Sequence, residues 1–191
     1  MTDTRPGRAV RTRRVVSLDS EIHVDQEPAP HVIPYTLGFT VLAPRRVPLA
    51  TDFTVVVTPD PITFDPRFST RLWDLHLTLT AGPRQEPLRC EVPAAASARP
   101  PVRTVLDGDR LTIAVAGPVA AGQPLALPAV TLTLTAAAEA VEVRLAGTSF
   151  AEPGWGYRFE HTGTGLSGAA RGRPGPGQGL LARTTTHPAA R

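Results

Sequence analysis

The chain has 191 residues, of which 21 are proline, 16 are glycine and one is cysteine. This length suits one domain of ordinary size. The single cysteine, Cys90, excludes an intramolecular disulfide and a thiolate zinc cluster. Proline at about twice its usual share argues against a helical bundle. The apolar runs are only a few residues long, too short to span a bilayer.

The charge lies unevenly along the chain. All 20 basic residues are arginine, and the net charge is +3. Residues 1–16 carry five arginines against Asp3, and residues 163–191 carry four arginines and no acid, so each end is +4 and the remainder is −5. Neither end contains an aromatic residue that could stack on a base, which argues against nucleic-acid binding. A short basic arm can still be drawn weakly to anionic polymers.

The first residues as given are not expected to form a signal peptide. Arginines precede Val15 and Val16, but Asp19 and Glu21 interrupt the stretch where an apolar segment would stand. The sequence as it begins therefore predicts a cytoplasmic protein, with export to the cell envelope or medium as the alternative.

Apolar and polar residues alternate with period two between residues 17 and 160, which indicates half-buried strands. Phe53–Thr58 is also a β-branched run of the kind that strands favour. Eight strands are predicted, at 18–25, 35–42, 53–58, 72–80, 111–115, 130–135, 141–145 and 155–159. The alternation predicts a core of Leu37, Phe39, Phe53, Val55, Trp73, Leu75, Leu77, Ile113, Leu132, Leu134 and Val143.

Short strands between Pro/Gly-rich connections, with no amphipathic helix, predict an all-β fold. We expect an antiparallel, immunoglobulin-like two-sheet β-sandwich with Greek-key connections, and a closed barrel is the alternative. The sandwich is expected to occupy 17–160, between a disordered basic arm at 1–16 and a disordered Gly/Pro/Arg-rich tail at 161–191.

Three stretches carry a resemblance to known proteins: 43–63, 115–134 and 144–150, which include Thr51-Asp-Phe-Thr-Val-Val-Val-Thr58 and Arg144-Leu-Ala-Gly-Thr-Ser-Phe150. They resemble small, mostly secreted actinobacterial β-sandwich proteins, some of which are labelled cyclase or dehydratase. The resemblance covers about 35–160 and implies the sandwich fold. Those proteins usually have an export signal and paired cysteines, whereas this sequence predicts no export signal and holds one cysteine.

One candidate catalytic pair is visible. Asp74 and His76 lie two residues apart on a predicted strand, so they share its exposed face, where a carboxylate can orient an imidazole base. No G-x-S-x-G nucleophile motif accompanies them. A solvated polar strand face is the alternative interpretation.

Asp19, Glu21, His23 and Asp25 form a second polar row, on the first predicted strand. Alternate residues on a strand lie about 6.5–7 Å apart, too far for two neighbours to ligate one metal without bending. The row is a weak candidate for cation binding and is better explained as a charged edge. Asp107-Gly108-Asp109 lacks the rest of a calcium loop and predicts a hairpin turn.

Trp155, Tyr157 and Phe159 share one face of the last predicted strand. They are candidates for a ligand platform, although alternate aromatic residues more often belong to a core. We expect no cofactor. The sequence predicts a non-catalytic structural or interaction module, with an envelope polymer or another protein as partner. The alternative is a minor enzyme of cyclase/dehydratase type that uses Asp74 and His76.

Overall fold

The structure is a computed structural model that describes residues 8–82, 89–91 and 101–188. Every helix-or-strand element in those ranges is a strand, which confirms the all-β prediction. The strands are β1 (Ala9–Val24), β2 (His31–Pro44), β3 (Arg46–Pro48), β4 (Asp52–Pro59), β5 (Arg71–Gly82), β6 (Arg89–Glu91), β7 (Val102–Asp107), β8 (Arg110–Val115), β9 (Val119–Ala120), β10 (Val130–Thr135), β11 (Ala140–Leu145), β12 (Trp155–His161), β13 (Leu166–Pro174) and β14 (Leu180–His187).

The strands form one mixed, unclosed sheet of 14 strands, and the expected antiparallel two-sheet sandwich of eight strands is not confirmed. The main path runs β3-β14-β11-β5-β12-β13-β1-β2-β4-β10-β6 and does not close into a barrel. β3 and β14 pair in parallel, and the other pairs are antiparallel. The long β1 joins two halves of the sheet, one from β3 to β13 along this path and the other from β2 to β6. It pairs with β2 along 9–22 and with β13 along 18–24.

Both chain ends take more part in the fold than the sequence predicted. Residues 9–16, expected in a disordered arm, pair with β2 from Ala9 to Val16. Residues 166–174 and 180–187, expected in a disordered tail, form β13 and β14. β13 carries few apolar side chains, but both of its edges are hydrogen-bonded, to β12 and to β1. The outermost residues of these predicted ends, 1–7 and 189–191, lie outside the described part of the chain.

One hydrophobic cluster draws on both halves of the sheet. Ten of the eleven predicted core residues are buried. The exception is Trp73, which is only half-buried, whereas its neighbour Leu72 is fully buried. An extra residue in β5 shifts the alternation at this point, so Leu72 takes the inward position that the sequence pattern gave to Trp73.

Two local predictions are confirmed. Asp107 and Arg110 pair across a two-residue turn that joins β7 to β8, and Gly108 has the positive φ, +57°, that such a turn favours. Cys90 is a free thiol on β6, half-buried against the core. Burial, and then the neighbouring Glu91 carboxylate, raise the pKa of this thiol, so it lacks the activation of a catalytic cysteine.

Candidate functional site

The two predicted polar rows lie on one face of the sheet, here called the outer face. β12 and β13 separate β5 from β1, so the rows are three strand spacings apart, about 14 Å. The register aligns the strands in cross-strand rows on this face. One row is Trp73, Arg158, Ala169 and His23, and the next is His76, Gly156, Arg171 and Glu21.

A bulge in β5 shapes this face. Trp73 pairs with Arg158 and His76 pairs with Gly156, so three steps along β5 match two along β12. The extra residue is Asp74, whose φ of +51° is uncommon for a residue other than glycine. Bulges of this kind re-aim side chains. Here Trp73 lies on the outer face beside Asp74, although regular alternation predicts that Trp73 is in the core.

A groove of about 1030 Å³ runs across the outer face, and we call it the outer groove. Its floor is made by small residues of β13, and polar side chains and Trp73 stand around the floor. Tyr157 and Phe159 of β12 also line it. The floor residues include Gly168, Ala169 and Ala170, and the surrounding residues include Asp25, Trp73, Asp74, His76, Arg158, Glu160 and Arg171. The groove thus brings Asp74 and His76 together with Asp25 from the other predicted row.

Asp74 and His76 are close but do not form a carboxylate–imidazole pair. His76 Nδ1 lies 3.3 Å from the backbone carbonyl oxygen of Asp74. The Asp74 carboxylate instead lies 3.6 Å from the guanidinium of Arg158, and both side chains are more than half exposed. The imidazole rests over Gly156, where a Cβ atom would come within 2.6 Å of His76 Cε1.

The polar side chains of the row that begins on β1 form contacts with other side chains of the protein. Asp19 lies 3.6 Å from Arg173, and Glu21 Oε1 lies 2.9 Å from His23 Nε2. Asp25 accepts a 2.5 Å hydrogen bond from the Ser167 hydroxyl. Across the described residues, no three potential ligands converge in a way that could hold a metal ion. The proposed cation site in this row therefore has no structural support beyond the spacing of its residues.

The aromatic side chains of β12 lie on the opposite, inner face. Trp155 is fully buried and stacks between Tyr35 and Phe64, with ring centroids 6.1 and 6.2 Å away. Tyr157 packs edge-on against Phe64 at 4.9 Å, and Phe159 follows it at 6.4 Å. Burial, and to a lesser extent Tyr35, raise the pKa of Tyr157 to about 12. Trp155 thus belongs to the core.

Sequence reasoning missed Trp73 and Arg158 as residues of the site. Both lie beside Asp74 on the outer face. The sequence pattern assigned Trp73 to the core, and Arg158 follows Asp74 by 84 residues. The one local signal is the adjacent pair Trp73-Asp74 followed by Leu75, because a bulge leaves two consecutive residues on one face.

No helix in residues 8–82, 89–91 or 101–188 is long and apolar enough to cross a membrane. No family model and no curated protein matches the chain. Among solved structures, the fold is similar to a protein of Corynebacterium diphtheriae that bears the name "putative membrane anchored protein", with a TM-score of 0.51 and 12% identity. The similarity covers 94% of this chain and 38% of that protein.

Proposed function

We propose that the chain is a non-catalytic interaction module of the cell envelope and that it binds its partner in the outer groove. The observation that carries this proposal is the groove itself. It combines a floor of small residues with charged and aromatic side chains around it, most of them on paired strands. Sites built on strands position their side chains precisely, which suits recognition.

The geometry around Asp74 favours binding over catalysis. A general base needs a partner that orients it and a nucleophile within hydrogen-bond reach. The Asp74 carboxylate is directed to Arg158, and the Asp74 backbone contacts the imidazole. The alternative as an enzyme of cyclase/dehydratase type would need Asp74 to release Arg158 and turn to His76.

The envelope location is proposed from the likeness of fold to the corynebacterial protein, whose name describes it as membrane anchored. Fold alone does not determine function, so the location needs its own test. We would express the native gene with its full upstream region, separate cytoplasm, membrane, wall and medium, and detect the protein with an antibody. Recovery in the membrane, wall or medium fraction supports the proposal, and recovery in the cytoplasm alone contradicts it.

The non-catalytic half of the proposal is tested at His76, the imidazole that an enzyme would need as its base. His76→Ala and His76→Asn remove this base and keep the contact between Asp74 and Arg158. We expect both variants to retain function in a complementation assay of the deleted gene. Loss of function in both, with normal folding by circular dichroism, would favour the enzyme alternative.

A further inference from the structure

Trp73 lies on the outer face among the charged residues of the outer groove, which Tyr157 and Phe159 also line from β12. We propose that the groove binds a neutral oligosaccharide, with the Trp73 indole stacked against one sugar ring. This inference deepens the proposed function, since it names a ligand class for the same groove. It is argued from the bulge in β5, the charges around the groove and the shape of its floor.

The bulge gives the first argument. It places Asp74 in a left-handed backbone conformation, with φ at +51°, and turns Trp73 out of the core. Both are unfavourable for folding, because an aspartate in that region is strained and an indole outside the core buries less apolar surface. Strained backbone and bulges concentrate at binding sites. A flat apolar ring at the side of a polar groove is what the C–H face of a sugar requires.

The charges give the second argument. Asp25, Asp74 and Glu160 face Arg158 and Arg171 around the groove, so the two signs nearly balance. A polyanion or polycation would be repelled by one set as it was attracted by the other. A carboxylate and a guanidinium 3.6 Å apart offer an acceptor beside donors. Neighbouring hydroxyl groups of a sugar both donate and accept, and they match such a pair without adding charge.

The floor gives the third argument. β12 is hydrogen-bonded to β5 on one edge and to β13 on the other. No backbone edge is therefore free within the groove for a peptide to add as a strand, the usual way of binding an extended peptide to a sheet. The small residues Gly168 and Ala169 keep the floor low on β13, across Arg158 from Trp73, which leaves room for a sugar ring.

The test uses the purified full chain on a printed array of bacterial-surface and plant oligosaccharides, followed by calorimetric titration with the best binder. Trp73→Ala should weaken binding at least about tenfold, and Trp73→Phe should recover much of the loss, since stacking persists. Phe68→Ala is the matched control, because Phe68 is 74% exposed and lies outside the groove. Its binding should equal that of the unchanged protein.

Salt separates neutral from charged ligands. Affinity for a neutral oligosaccharide should change less than about twofold between low and high salt, whereas affinity for a polyanion falls steeply. Circular dichroism and thermal unfolding of Trp73→Ala establish that the variant is folded, which we expect because Trp73 lies outside the core.

Three results would overturn the proposal: no oligosaccharide bound, binding that Trp73→Ala leaves unchanged, or binding confined to acidic glycans with steep salt dependence. The proposed function fails separately. A protein found in the envelope that binds no sugar keeps the interaction module and loses its ligand class. A cytoplasmic protein that binds sugar through Trp73 keeps the ligand class and loses the location.

Discussion

The two tryptophans of the chain lie on two neighbouring strands and occupy opposite faces of the sheet. Trp155, on β12, is fully buried between Tyr35 and Phe64. Trp73, on the neighbouring β5, lies half-buried beside the charged groups of the outer groove. Both residues are tryptophan, but the Trp155 indole packs in the core and the Trp73 indole lies partly exposed at the outer groove.

The difference arises from the bulge at Asp74. Without it, regular alternation would direct Trp73 to the inner face, where Leu72 and Leu75 now lie. One residue inserted in one strand thus converts a core position into a surface position. The inner face stabilises the fold, and the outer face is available for recognition.

The sharpest contrast is in stability. Trp155→Ala removes a fully buried indole and should lower the free energy of unfolding by about 3–5 kcal/mol. Trp73→Ala removes a half-exposed one and should cost about 1 kcal/mol or less. Urea unfolding followed by circular dichroism measures both. Equal losses of unfolding free energy in the two variants would contradict the placement of one indole in the core and the other at the groove.

The inner face should also make the fold sensitive to alkali. The pKa of Tyr157 is about 12 in the folded protein, against 10.0 as its usual value. Between these pH values the unfolded chain loses the phenol proton and the folded one keeps it, so stability falls as pH rises. The loss should reach about 2–3 kcal/mol.

Tyr157→Phe is the variant that isolates this effect. The chain has two tyrosines and no lysine, so few other groups titrate in this range. Burial also raises the pKa of Tyr35, which should leave a smaller residual slope. Stability measured from pH 9 to 12 should fall less steeply in the variant. An unchanged slope would show that Tyr157 ionises as easily folded as unfolded.

The strands themselves could be predicted, because alternation is local. All eight predicted strands are present, and ten of eleven predicted core residues are buried. β13 escaped prediction for a physical reason: its small residues look like a loop, but Gly168 and Gly172 lie against Phe159 and Trp155, where a Cβ would meet ring carbons at 2.8 and 2.9 Å. These glycines are explained only by the aromatic side chains of the partner strand β12.

The site could be predicted only in part. Local alternation correctly assigned Asp74 and His76 to the face opposite the core. It could not show that β12 and β13 bridge these residues to the row of β1, because strand order depends on pairing between distant segments. It also could not reveal the bulge, so Trp73 was missed.

A methyl group added beneath the His76 imidazole tests the outer face with a smaller expected effect. At Gly156 an added Cβ would come within 2.6 Å of His76 Cε1 and 2.9 Å of the Ala170 carbonyl oxygen. The side chain can move, but the backbone oxygen cannot easily do so. Gly156→Ala should therefore cost about 1–2 kcal/mol and weaken ligand binding. Gly82→Ala is the matched control on β5, where nothing lies within 4 Å of the new methyl. A loss as large at Gly82 would refute the steric explanation.

The smallest expected effect has the opposite sign. Asp74→Gly relieves the left-handed backbone and should raise stability by about 0.5 kcal/mol, while it removes the contact with Arg158 and weakens binding. Ala50 has a similar φ, +59°, outside the groove. Ala50→Gly should therefore stabilise without a change in binding. The contrast fails if Asp74→Gly lowers stability or leaves binding unchanged.

The indole signals of the two tryptophans test the central claim most directly. A two-dimensional ¹H–¹⁵N spectrum should show two indole N–H peaks, which Trp73→Phe assigns by removing one. The peak of Trp73 should exchange quickly with solvent and shift when the best-binding oligosaccharide is added, while the peak of Trp155 exchanges slowly and stays in place. Slow exchange of both peaks, or a shift confined to Trp155, would contradict the account.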